Sequence, residues 1–206
     1  MRDTERKIKN EIINHYDLLI DENNDPVRDE PPLREYMDKW DGEIFIEKAE
    51  LKKEKSVLEI GVGTGRLAVR TAPLCGKFCG IDISPKTIER ARENLSEHKN
   101  AVLVCGDFLS ARFSESFDVI YSSLTFMHIK EKQRAFDKVG KLITVGGRFV
   151  LSIDKNTGDV IDMGTRKLQI YPDSPEEILD CAKNAGFTLV EQSETEFAYV
   201  FVFENK

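Results

Sequence analysis

Apolar positions along the chain recur every three or four residues in some stretches and gather into short runs in others. Over residues 4–20, Ile8, Ile12, Tyr16, Leu19 and Ile20 fall on one helical face with charges between them, predicting an amphipathic N-terminal helix. Residues 21–32 are polar, carry three prolines and predict a loop. Short helices are predicted over 32–40 and 44–51, separated by Gly42. Apolar runs at 57–60, 77–82, 101–105, 117–121 and 148–153 then read as strands. Between them lie helical stretches at 66–74, 84–95 and 130–143, and the Gly146-Gly147 pair predicts a turn before the fifth strand. Ser174-Pro175 opens a last helix to residue 185, with Gly186 as its stop. Runs at 187–192 and 197–203 follow, joined by a polar link too short for anything but antiparallel pairing.

Strands and helices in alternation predict βαβ units, hence an α/β fold with a doubly wound, mostly parallel sheet. The 206 residues suffice for one domain with a surplus, divided here into an N-terminal helical extension over 1–50 and a main domain over 51–206. A hydrophobic fraction of 40% and a charged fraction of 33% describe an ordinary globular chain. The net charge of −7 argues against a nucleic-acid surface. No apolar run approaches the roughly 18 residues of a membrane span, and the N-terminus lacks the apolar core of a signal peptide. A cytoplasmic location without membrane or nucleic-acid partners is the expectation. Cys75, Cys79, Cys105 and Cys181 form no disulfide or zinc pattern and read as reduced, mostly buried residues; with His15, His98 and His128 scattered, no metal is expected.

The chemistry concentrates where the first strand ends. Glu59 is followed by Gly61, Gly63 and Gly65 at alternate positions, and glycines in a strand-to-helix turn permit positive φ and close approach of a ligand to bare backbone. A dinucleotide fingerprint places its third glycine where this chain has Arg66, and a phosphate-binding Walker loop is absent. Asp82 ends the second strand, where a carboxylate accepts hydrogen bonds from ribose hydroxyls. Gly106-Asp107-Phe108 ends the third strand, and Phe117 to Ser123 leads out of the fourth.

In order and spacing these elements resemble motifs I to IV of the class I S-adenosylmethionine-dependent methyltransferases. The resemblance implies a seven-stranded sheet of order 3-2-1-4-5-7-6 with the last strand antiparallel. It implies S-adenosylmethionine as cofactor and S-adenosylhomocysteine as product. Glu59 and the backbone of Gly61, Gly63 and Gly65 would hold the methionyl part; Asp82 and Ile83 the ribose and one adenine face; Asp107 and Phe108 the adenine; and the main chain of Tyr121 would lie near the sulfonium. His128 is a candidate general base. Tyr16, Tyr36, Trp40 and Tyr171 are candidates to face the ligand or form a lid, while Phe126 reads as core. Lacking the sequence patterns of macromolecular methylation, the chain is expected to act on a small-molecule acceptor. The alternatives are a nicotinamide-dependent oxidoreductase on a similar sheet and an S-adenosylmethionine-binding module without catalysis.

Overall fold

The computed structural model describes residues 2–206, with side chains from residue 6 onward; Met1, the first residue of the expected extension, lies outside the described residues. Three helices, α1 (Arg2–Asp21), α2 (Pro31–Met37) and α3 (Gly42–Lys48), precede the first strand. The parallel strands follow as β1 (Ser56–Ile60), β2 (Lys77–Asp82), β3 (Ala101–Cys105), β4 (Phe117–Ser123) and β5 (Ile143–Asp154). Between them run α4 (Ala68–Thr71), α5 (Pro85–Asn94) and α6 (Lys132–Leu142). A hairpin of β6 (Val160–Asp162) and β7 (Lys167–Gln169) comes next, then α7 (Pro175–Asn184), β8 (Phe187–Glu194) and β9 (Ala198–Asn205).

The main sheet runs β3-β2-β1-β4-β5-β9-β8, with β9 antiparallel to both neighbours. With the separate β6–β7 hairpin set aside, this is the order 3-2-1-4-5-7-6 that the resemblance implies. Successive residues of a strand face opposite sides, and both sides are covered. Leu58, Ile120, Phe149 and Phe203 meet Phe136 of α6 and Ile178 of α7, while Val57, Val119, Val150 and Val202 belong to the core that contains Phe45, Ala68 and Ile88. That is why the strands read as nearly continuous apolar runs. Phe126 is fully buried against Phe136 and Phe149.

Three local expectations are corrected. The stretch 66–74 is α-helical only over Ala68–Thr71 and tightens to a 3-10 turn at Ala72–Leu74, because Gly65 prolongs the preceding turn at φ +99° and Pro73 offers no amide to the helix ladder. The Gly146-Gly147 pair does not precede β5 but lies inside it. The register against β4 shifts between Phe117 and Val119, with Gly146 at φ +72°, so the glycines form a bulge. Cys105 is exposed, although Cys75 and Cys181 are buried as expected.

The β6–β7 hairpin went unassigned in the sequence because each strand is only three residues long. Ile12 of α1 packs with Leu168 and Ile170 of that segment, so the extension and the hairpin share a small core of their own. Asp17 of α1 also accepts from Ser84 Oγ at 2.6 Å and from the Lys86 amide at 3.2 Å, placing a carboxylate at the start of α5. Trp40 donates from Nε1 to Asp154 at 2.9 Å and packs on Phe197, fixing the extension to the terminal hairpin.

One buried ion pair ties the loop after β4 to the segment after β7. Lys132 Nζ lies 2.8 Å from Asp173 Oδ1 and donates to the carbonyls of Phe126 and Tyr171 at 2.6 and 2.9 Å; both charged residues are buried. Replacing Lys132 by Met leaves Asp173 without its cation and should lower stability by about 3–5 kcal/mol, with much of the loss recovered in Lys132→Met/Asp173→Leu. Urea unfolding midpoints check this; a loss below about 1 kcal/mol in the single variant would show that the pair is effectively hydrated.

Candidate functional site

A cavity of about 370 Å³ opens at the C-terminal ends of β1, β2, β3 and β4, where a doubly wound sheet leaves its crevice. Glu59, Gly61, Gly63, Asp82, Ile83, Asp107, Phe108 and His128 all line it. The extension contributes Lys9, Ile12, Tyr16, Leu19, Asn24 and Met37.

The glycine turn has a separate reason at each position. Gly61 sits at φ +77°, and a Cβ there would lie 2.0 Å from Thr125 Oγ1. Gly63, at φ +56°, lines the cavity, and a Cβ there would meet nothing within 4 Å among the described residues. Gly65, at φ +99°, shapes the turn from behind and is not part of the cavity wall. The first glycine thus allows two turns to touch, and the second leaves backbone bare toward the cavity.

Asp82 is held by two amides, Gly63 N to Oδ2 at 3.1 Å and Ser84 N to Oδ1 at 3.0 Å. Burial raises its pKa, with the amide bonds opposing. A carboxylate has about four lone-pair sites, so each oxygen retains acceptor capacity. Asp107 Oδ2 accepts from Lys9 Nζ of α1 at 2.8 Å. Glu59 is buried, and desolvation pushes its pKa up to about 8 against the lowering effect of the Tyr121 hydroxyl, which donates to Oε2 at 2.8 Å.

Tyr121 itself does not reach the cavity. It is fully buried, bonded to Glu59 and Thr71, and supports Glu59 from behind. Strand β4 continues two residues beyond the expected end, so Ser123, Leu124 and Thr125 stand where Tyr121 was expected. Leu124 holds φ +51° with its amide on the Ser152 carbonyl at 3.2 Å, a left-handed conformation that costs a non-glycine residue about 1–2 kcal/mol.

His128 lines the cavity with one ring nitrogen already engaged. Its Nε2 lies 2.7 Å from the Tyr16 hydroxyl, and its Nδ1 is buried with no hydrogen-bond partner among the described residues. A hydroxyl donating to Nε2 leaves only one group unpaired and so assigns the proton to Nδ1. Burial, with the charges of His15 and Lys132, lowers its pKa to about 4. The ring is neutral at physiological pH, and its Nε2 is engaged by Tyr16.

Of the aromatic candidates, Tyr16 lines the cavity, whereas Tyr36, Trp40 and Tyr171 do not. Tyr36 is 47% exposed and packs with Trp40 and Phe197; Tyr171 runs beside Met127, joined to its carbonyl through a backbone bond of 2.8 Å. Aromatic identity marked these residues, but the cavity face of the extension is mainly aliphatic. Arg66, Thr64 and Asp41 were not singled out as site residues. Thr64 lines the cavity, and Arg66 forms an ion pair with Asp41. The signal for the latter pair was present in Arg66 itself, a charge standing in place of a fingerprint glycine.

A family model described as a methyltransferase domain matches residues 51–196. The chain belongs to the S-adenosylmethionine-dependent methyltransferase family. Malonyl-[acyl-carrier protein] O-methyltransferase 1 of Ilyobacter polytropus is 30% identical over 112 residues, covering 53% of this chain and 41% of that relative. Phosphoethanolamine N-methyltransferase 2 of Caenorhabditis elegans is 28% identical over 150 residues, covering 69% of this chain and 34% of its own length. The chain therefore spans less than half of either relative. Among solved structures, N-methyltransferase NodS of Bradyrhizobium japonicum WM9, in complex with S-adenosylhomocysteine, superposes with a TM-score of 0.67 at 21% identity, over 87% of this chain and 90% of that one. That likeness is one of fold. Family membership sets aside the nicotinamide-dependent alternative.

The residues of this methyltransferase fit the family's cofactor, S-adenosylmethionine. Bare backbone at Gly63 and the spare acceptor capacity of Asp82 border one cavity. No helix among the described residues is long and apolar enough to cross a membrane.

The pKa of Glu59 has a measurable consequence. Its ordinary value is 4.5, so between about pH 4.5 and 8 the folded protein keeps a proton that the unfolded chain has lost. This carboxyl's contribution therefore falls as pH rises through that window, by at most about 1.4 kcal/mol per unit. Urea unfolding from pH 5 to 8 should show Glu59→Gln gaining on the wild type as pH rises; parallel curves would place a hydrated carboxylate at Glu59.

Proposed function

We propose that the protein transfers the methyl group of S-adenosylmethionine to a small-molecule acceptor, with residues 1–50 acting as a lid over the main domain. The observation that carries this reading is the roof of the cavity. Ile12, Tyr16 and Leu19 of α1, with Asn24 and Met37 beyond it, line the cavity over the ends of the strands, making it a partly covered pocket. Such a shape suits a small ligand better than the surface of a macromolecule. The relatives named for malonyl-[acyl-carrier protein] and phosphoethanolamine differ from each other in acceptor, so the family alone does not select one.

In this reading Glu59 and the glycine-turn backbone hold the methionyl part, Asp82 accepts from the ribose, Ile83 and Phe108 cover the adenine, and Asp107 accepts from its amino group. The cofactor supplies an electrophilic methyl group on a sulfonium centre. The chain supplies position and dehydration. Apolar side chains of α1 exclude water, and Lys9 keeps Asp107 oriented. Neutral His128, tied to Tyr16, orders the wall of the cavity instead of taking a proton.

Calorimetric titration of the full chain with S-adenosylhomocysteine, with NADH as control, tests the cofactor. Micromolar binding of the first and none of the second is expected. Asp82→Ala should weaken binding by about 1–3 kcal/mol, the scale of a lost hydrogen bond to a charged group; unchanged affinity would remove Asp82 from the ribose site. The lid is tested by hydrogen exchange: amides of α1 should exchange more slowly once S-adenosylhomocysteine is bound, and unaltered exchange would make the extension a fixed part of the packing. A screen of small acceptors with methyl-labelled cofactor then tests turnover, and cofactor binding without transfer to any of them would favour a binding module.

A further inference from the structure

Asp41 belongs to the extension yet reaches two walls of the cavity at once. It caps α3, accepting from the Gly42 amide at 2.6 Å, and its side chain has no exposed surface. Arg66, at the end of the glycine turn, donates to Asp41 Oδ1 from Nη1 at 2.9 Å and to Oδ2 from Nη2. From the other side Ser123 Oγ, at the end of β4, donates to Oδ2. Arg66 and Ser123 both line the cavity. Asp38 adds a second anion, 3.4 Å from Arg66 and 3.3 Å from Arg70.

α3 docks through Phe45, which is 1% exposed and meets the Tyr121 ring edge-on, and through ion pairs of Glu43 and Lys48 with Arg70 and Glu191. The buried carboxylate adds something that packing does not. A two-pronged guanidinium contact fixes orientation as well as distance, and the hydroxyl on the same carboxylate ties the second wall to the first.

We propose that Asp41 is a positioning residue of the cofactor site. By holding Arg66 and Ser123 on one carboxylate it sets the separation between the glycine turn and the end of β4. Asp41 lies outside residues 51–196, the span matched by the family model, so part of the cofactor site's geometry is set by the extension. The inference rests on reading this cavity as the S-adenosylmethionine site.

The test is calorimetric titration of the full chain with S-adenosylhomocysteine. The proteins compared are wild type, Asp41→Asn, Arg66→Gln, the double variant, and Trp40→Phe, which alters an anchor of the extension away from the cavity. Each is measured at a temperature where circular dichroism shows it folded. Asp41→Asn and Arg66→Gln should each weaken binding about tenfold or more, the scale of a buried coupled contact, and the double variant should be no weaker than the weaker single one. Trp40→Phe should bind like the wild type. Losses that multiply in the double variant, unchanged affinity in Asp41→Asn, or an equal loss in Trp40→Phe would each overturn the proposal. If Asp41→Asn does not fold, Ser123→Ala carries the test: a loss of about three- to tenfold supports the proposal and unchanged affinity overturns it. Failure of the wild type to bind would overturn the cofactor reading with it, whereas wild-type binding with unaltered variants removes only the role of Asp41.

Discussion

Two turns must touch for this cavity to exist. Gly61 follows β1 and Thr125 follows β4, and the space between them does not admit a methyl group. A side chain at Gly61 would push apart the two strands whose divergence opens the crevice. The close approach also fixes Ser123 and Leu124, because Thr125 Oγ1 donates to the Ser123 carbonyl at 2.9 Å while the Leu124 amide is held by β5. The left-handed backbone at Leu124 persists because bonds on both sides over-determine it.

Charge is then distributed around that contact in an apolar setting. Three carboxyls, Glu59, Asp82 and Asp41, sit at the cavity or just behind it, and each is treated differently. Asp41 has a guanidinium and remains fully sequestered, Asp82 has two amides, and Glu59 has a phenol. Burial raises the pKa of both Glu59 and Asp82, with the amides opposing it at Asp82 and the phenol opposing it at Glu59.

The parallel sheet and its edge were legible because strands buried on both faces read as apolar runs and because Ser84-Pro85, Ser174-Pro175 and Gly186 mark helix ends plainly. The cofactor side of the cavity was legible for the same local reason: glycines and strand-end acids act through the backbone near them. Tyr121 was misplaced by two residues because a continuous strand carries no internal sign of where it leaves the sheet. Tyr36 and Trp40 were misjudged because their partner, Phe197, lies far along the chain. Asp41 was invisible for a related reason, as its hydrogen bonds join positions 41, 66 and 123. The β6–β7 hairpin draws its stability from α1, and no three-residue window records that.

The small core shared by Ile12, Leu168 and Ile170 joins the extension to the β6–β7 segment. Its components lie before β1 and after β5, outside the four strand ends that form the cofactor side. Recasting the apolar face of α1 therefore calls for matching changes at Leu168 and Ile170, with the glycine turn, Asp82 and Asp107 left as they are. Recasting either segment alone would strand an apolar surface on the other. The two segments thus form one cap, joined to each other through three aliphatic side chains.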